Sequence, residues 1–143
     1  MDVLCCRRYS ARQEEERTEE KEFSVKLPNR PGELARLTEA LKKDKINIRT
    51  LSTEPKAEVV RLITEDPDKS RECLRRAGLE FSERNILVAK VEDKPGELAR
   101  ISRSLADAGV NIDAAYMLSR KGKRVEIALA VSDEEKAKNV LKL

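Results

Sequence analysis

Phe23, Val25 and Leu27 alternate with polar residues, the period-two pattern of a half-buried strand. After the turn residues Asn29-Arg30-Pro31-Gly32, the spacing changes to that of a helix, with Leu34, Leu37 and Leu41 on one face. Ile46, Ile48 and Thr50 return to alternation, Pro55-Lys56 marks a turn, and Val59–Thr64 reads as a third strand. Asp66-Pro67 then opens a second helix carrying Cys73, Leu74 and Ala77, which Gly78 closes. Leu79–Ser82 is predicted as a fourth strand, so the order is βαββαβ.

The same order begins again. Strand Ile86–Val91, helix Pro95–Ala108, and strands Val110–Leu118 and Arg124–Val131 follow in turn. The last element is a helix with Ala137, Val140 and Leu141 on its apolar face, and Ser132 with Glu135 reads as its capping box. The hexapeptide Pro-Gly-Glu-Leu-Ala-Arg occurs at Pro31–Arg36 and at Pro95–Arg100, 64 positions apart. At the same offset Leu37 and Leu41 meet Ile101 and Leu105, and Ile46-Asn47-Ile48 meets Val110-Asn111-Ile112. The chain is therefore a duplication. Its expected organisation is a charged tail over residues 1–20, a first unit over 21–84 and a second over 85–143.

The expected fold is α+β: two tandem ferredoxin-like βαββαβ units with antiparallel sheets and helices on one face. The second copy runs out after its last helix, so its final strand is missing. One position breaks the parallel between the copies. Gly109 follows the helix of the second copy where Lys45 follows that of the first, so Lys45 either adopts the left-handed conformation or ends its helix differently.

Composition narrows the function. Aromatic residues are only 3% of the chain, so the cores are aliphatic and no stacking platform for nucleic-acid bases is available. Net charge is +3 with both signs interspersed, which excludes a basic nucleic-acid footprint. No apolar run approaches the roughly 18 residues of a membrane span, and the expected compartment is the cytoplasm. There is no histidine, no glycine-rich phosphate loop, no nucleophile elbow and no metal-ligand spacing, so neither an enzyme nor a metal or cofactor site is expected. Cys5-Cys6 are too close in sequence to bridge easily, and Cys73 reads as a small core residue.

The candidate chemistry lies at the two Pro-Gly turns. A helix start presents backbone N–H groups to an anion, here those of Gly32, Glu33 and Leu34, or of Gly96, Glu97 and Leu98. Asn29 with Asn47, and Asp93 with Asn111, supply oxygens that accept from an ammonium group. Donors for a carboxylate beside acceptors for an ammonium suit a free amino acid. The alternative is structural: Glu33 and Glu97 occupy the positive helix ends themselves, and Asn47 and Asn111 satisfy turn backbone.

A strand, then Asn-Arg-Pro-Gly, an amphipathic helix, and Ile-Asn-Ile in the next strand resembles the ACT domain, a βαββαβ regulatory module that binds amino acids. The resemblance covers about residues 21–143, and a chain built of two such units is similar to free-standing tandem ACT proteins. It implies a non-catalytic module with an amino-acid site where ACT-like units meet, formed by the helix-start loop of one and the second strand of the other. On the loops it implies Asn29, Arg30, Gly32, Glu33 and Leu34, and Asp93, Lys94, Gly96, Glu97 and Leu98. On the strands it implies Asn47 and Ile48, and Asn111 and Ile112. A homodimer and a biosynthetic enzyme partner are expected with it. The alternative function is an assembly protein or regulatory subunit of such an enzyme, without a ligand of its own.

Overall fold

The structure, a computed structural model, describes residues 18–143. Cys5, Cys6 and most of the charged tail lie outside the described residues. Among the described residues six strands and four helices follow in the order β1 (Glu19–Lys26), α1 (Glu33–Lys43), β2 (Ile48–Glu54), β3 (Val59–Thr64), α2 (Pro67–Arg76), β4 (Phe81–Glu92), α3 (Glu97–Asp107), β5 (Ile112–Lys121), β6 (Arg124–Val131) and α4 (Glu134–Leu141). The chain divides into two compact units, Lys21–Asn85 and a second comprising Ile86–Leu143 with the described residues up to Glu20.

In the first unit the strand order is β2-β3-β1-β4, with β3 antiparallel to both its neighbours. Phe23 faces Leu62 and Val25 faces Val60 across β1 and β3, so the alternating apolar positions share one side of the sheet. Leu37 and Leu41 of α1 and Leu74 of α2 close over that side, each at most 1% exposed. The second unit repeats this with β4-β6-β5, where Leu87 faces Leu129 and Ala89 faces Ile127. Ile101, Leu105 and Ala137 cover them from α3 and α4. No strand follows α4 among the described residues. At that edge of β4 the Val88 N–H instead donates to the Thr18 carbonyl at 2.8 Å, so chain just ahead of β1 stands where a fourth strand would pair.

The fourth and fifth expected strands, Leu79–Ser82 and Ile86–Val91, form one strand, β4. The residues between them, Glu83-Arg84-Asn85, contain neither glycine nor proline. Their charges are matched in the extended chain. The Arg84 Nε donates to the wholly buried Glu22 at 2.6 Å, and Arg71 grips Glu83 with two bonds of 2.8 and 3.0 Å. Both charges on the strand are paired, and the Arg84 Nη2 is left buried without a hydrogen-bond partner among the described residues.

Helix ends show three further differences. α1 and α3 begin at Glu33 and Glu97, not at the prolines, because Gly32 and Gly96 are the N-cap residues, at φ 92° and 95°. Glycine is there for that left-handed backbone, and the space beside each is open, so relief of a close approach is not its reason. The cap of α4 is Asp133, which accepts from the Lys136 N–H at 3.0 Å, whereas Ser132 accepts from the Asn111 N–H. A carboxylate complements the positive helix end better than a hydroxyl. Asp66 caps α2 as expected, through the Lys69 N–H.

Lys45 takes the left-handed conformation, φ 56°. Its N–H donates to the Lys42 carbonyl and the Ile46 N–H to that of Leu41, the paired bonds of a Schellman ending. Gly109 and Val110 make the same pair at the end of α3. Cys73 is buried against α1 and β1 neighbours, and burial pushes its thiol up to about 11, which leaves it a packing residue.

Candidate functional site

Each unit carries one cleft where its first strand turns into its first helix, and the two clefts use matching positions. The first holds about 240 Å³ and is lined by Leu27, Asn29, Arg30, Glu33, Leu34, Thr53, Glu58 and Val60, among others. The second holds about 300 Å³ and is lined by Val91, Asp93, Lys94, Glu97, Leu98, Met117, Val125 and Ile127, among others. Sheet register explains why the far side of each cleft is the end of β2 or β5. Thr53 pairs with Val60 across β2 and β3, as Met117 pairs with Ile127 across β5 and β6.

The structure brings the loop residues together and separates them from the strand asparagines. Asn29, Arg30, Glu33 and Leu34 line the first cleft with Gly32 at its rim, and Asp93, Lys94, Glu97 and Leu98 line the second beside Gly96. Asn47 and Asn111 lie at the opposite ends of their strands. The Asn47 amide donates to Glu65 at 2.9 Å and the Asn111 amide to Asp113 at 2.7 Å. Their carbonyls accept from Glu65 and Ser132 N–H groups, so both tie down the turn into the following segment. Ile48 and Ile112 pack, partly buried, against the helix-side cores. Within one unit, then, the loop residues do not share a cleft with Asn47 and Ile48, or with Asn111 and Ile112.

The electrostatics of the clefts are those of paired charges. In the first, Glu33 is 9% exposed, and its Oε1 accepts from Arg30 Nε at 2.8 Å while Oε2 sits 3.6 Å from Arg36 Nε. That Oε2 is buried without a hydrogen-bond donor among the described residues. Glu58 accepts, at 3.4 Å, from the Asn29 N–H. In the second, Lys94 meets Glu92 at 2.6 Å, Arg100 meets Glu97 at 2.9 Å, and Arg120 meets Asp93 at 2.8 Å. The Lys94 hydrogen bond holds the Glu92 carboxyl below the usual carboxylate range and raises Lys94 in turn. The N-cap glycines have no side chain to accept from the first turns of α1 and α3, where Glu33 and Glu97 stand, and the Glu33 N–H donates to the Arg30 carbonyl at 3.4 Å.

Thr53, Glu58, Met117 and Val125 were not expected as cleft residues, because they follow the repeat motif by some 20 to 30 positions. One signal for them existed. At the 64-residue offset a threonine faces a methionine, an apolar residue on a strand position where its counterpart is polar. Among the large apolar side chains of the described residues, those left exposed are Leu34 at 41%, Leu98 at 49% and Met117 at 61%, and all three line these two clefts.

A family model for the ACT domain pair matches residues 19–143. The chain belongs to that ACT family. No curated protein sequence matches it. Among solved structures, a protein from Bacteroides thetaiotaomicron is 28% identical, with a TM-score of 0.81 over 87% of this chain and 88% of that one. The ligand-free regulatory subunit of aspartate kinase from Thermus thermophilus is 16% identical, with a TM-score of 0.58 over 87% and 89%. E. coli aspartokinase III, solved in complex with lysine and aspartate, is 13% identical, with a TM-score of 0.57 over 88% of this chain and 30% of that one. At such identities the two kinases share the ACT-pair fold. No helix of the ACT pair, among the described residues, is long and apolar enough to cross a membrane, and none of its described Cys, Asp or Glu residues cluster as metal ligands.

Proposed function

We propose that this ACT pair is a non-catalytic regulatory module that binds a free amino acid at the strand-to-helix clefts, each closed over by a further ACT unit. The observation that carries the reading is the coincidence of exposed Leu34, Leu98 and Met117 with these two clefts. A stable fold covers large apolar side chains, and exposed ones grouped at a cleft mark a binding surface. Uncapped N–H groups at the helix starts suit a carboxylate, and the carboxylates of Glu33 and Asp93 suit an ammonium. Binding of lysine and aspartate by the E. coli aspartokinase supports amino acids as the ligand class and an enzyme of amino-acid biosynthesis as the partner.

The same apolar side chains also favour a second reading, an assembly surface for another copy or an enzyme subunit that needs no ligand. Thermal unfolding with each common amino acid added singly separates the two. A specific ligand at about a hundred times its dissociation constant stabilises by roughly 2.7 kcal/mol. No shift with any amino acid, together with a homodimer or an enzyme complex by light scattering, supports the assembly reading instead.

A further inference from the structure

The two clefts are built from one repeat, but their linings differ, the strand wall being more apolar in the second and the loop more acidic. Around the first, Thr53 stands on β2, and Glu58 lies beside Leu27, whose N–H donates to the Glu58 carbonyl at 2.9 Å. At the matching places the second cleft has Met117 on β5 and Val125, which pairs with Val91. Two places that are polar in the first cleft are apolar in the second, while Pro28 and Asn29 of the first loop are matched by Glu92 and Asp93. We propose that the second cleft alone is the ligand site of this chain, and that its ligand is an amino acid with an uncharged, apolar side chain. The inference rests on the amino-acid reading above and selects among its sites and ligands.

Three features carry it. Leu98, Met117, Val125 and Ile127 surround a volume of about 300 Å³, the lower end of what a small ligand occupies. Burying an aliphatic side chain there, and covering Leu98 and Met117 at the same time, uses apolar area that water now wets. Charge selects against charged side chains. Glu92, Asp93 and Glu97 already pair with Lys94, Arg120 and Arg100, so a charged ligand side chain, unlike an apolar one, would be desolvated with little added pairing in return. A zwitterion with an apolar side chain brings no net charge, and Asp93 retains acceptor sites beyond its two bonds from Arg120. In the first cleft the buried Glu33 is held between Arg30 and Arg36, and Glu58 and Thr53 place polar groups where an aliphatic side chain would lie.

Isothermal titration of the full chain with leucine, methionine, lysine and aspartate tests the proposal. Leucine or methionine is expected to bind while lysine and aspartate do not. Met117→Asp is expected to weaken that binding by about tenfold or more, since it removes an apolar contact and adds a carboxylate to be desolvated. Thr53→Asp, the same change at the matching place, is expected to weaken it far less. Met117 is exposed, so unfolding of the variant is not anticipated; equal melting of the free variants and a repeat with Met117→Ala guard against it. Preference for lysine or aspartate, or an equal loss in both aspartate variants, would overturn the proposal while leaving amino-acid binding intact. Silence with every amino acid would remove the amino-acid reading itself, and this inference with it.

Discussion

Replacing Lys45 with glycine should make the protein more stable, an unusual expectation for a change that deletes a side chain. Lys45 holds φ 56° at the end of α1, where its Cβ crowds the following carbonyl. A left-handed non-glycine residue costs about 1–2 kcal/mol. Glycine removes that cost and returns about 0.4–1 kcal/mol through the larger entropy of the unfolded chain. The net gain therefore lies between about 0 and 1.6 kcal/mol, centred near about 0.8 kcal/mol. Nothing in the folded state opposes it: Lys45 is exposed, and both Schellman bonds, 3.0 and 2.9 Å, are made by backbone that glycine keeps. The duplication supplies the control, because Gly109, at φ 71°, makes the same ending on α3. Gly109→Lys should destabilise by a similar amount. Urea unfolding read by circular dichroism measures both, with midpoints moving in opposite directions at unchanged slope. A Lys45→Gly variant less stable than the parent would refute the reasoning, and would show that the lysine side chain does something its exposure conceals.

Two other outcomes follow from the caps and the ion pairs. Asp133→Ala should cost about 1 kcal/mol by urea unfolding, whereas Glu135→Ala should cost little, since the cap of α4 is Asp133 and the Ser132–Glu135 capping box does not form. The bidentate Arg71 guanidinium holds the Glu83 carboxyl below its ordinary range. A carboxyl depressed in the folded state binds fewer protons there than in the unfolded chain. Its contribution is thus complete above the unfolded value of about 4.3 and fades as pH falls through the folded one. Glu83→Gln should accordingly flatten the acid limb of a plot of urea midpoint against pH and leave its slope near neutrality unchanged.

Much of the fold was legible because periodicity and duplication reinforced each other. Phe23-Val25-Leu27 and the Leu34-Leu37-Leu41 face each had a second copy to confirm the reading, and the first core falls on all of them but Leu34, which is exposed at the cleft. Element ends were less legible, because they depend on single dihedral angles and competing caps. Pro31 looked like a first helical residue until the left-handed Gly32 set the start two residues later. Asp133 and Ser132 are adjacent acceptors, and only geometry decides between them. β4 was hidden because Glu83, Arg84 and Asn85 look like loop residues, and their partners Arg71 and Glu22 lie far off in sequence. The loop half of the clefts was readable from the repeated hexapeptide. Its far wall was not, since Thr53 and Met117 reach the clefts only through strand register.

β4 runs through the junction of the duplication without a break, from Phe81 to Glu92. Genes that join copies usually leave a supple connector, the place where proteases nick and engineers splice. Here that place is hydrogen-bonded ladder, so trypsin should spare Arg84, and a cut made there to obtain half-molecules would sever a strand instead of freeing a module.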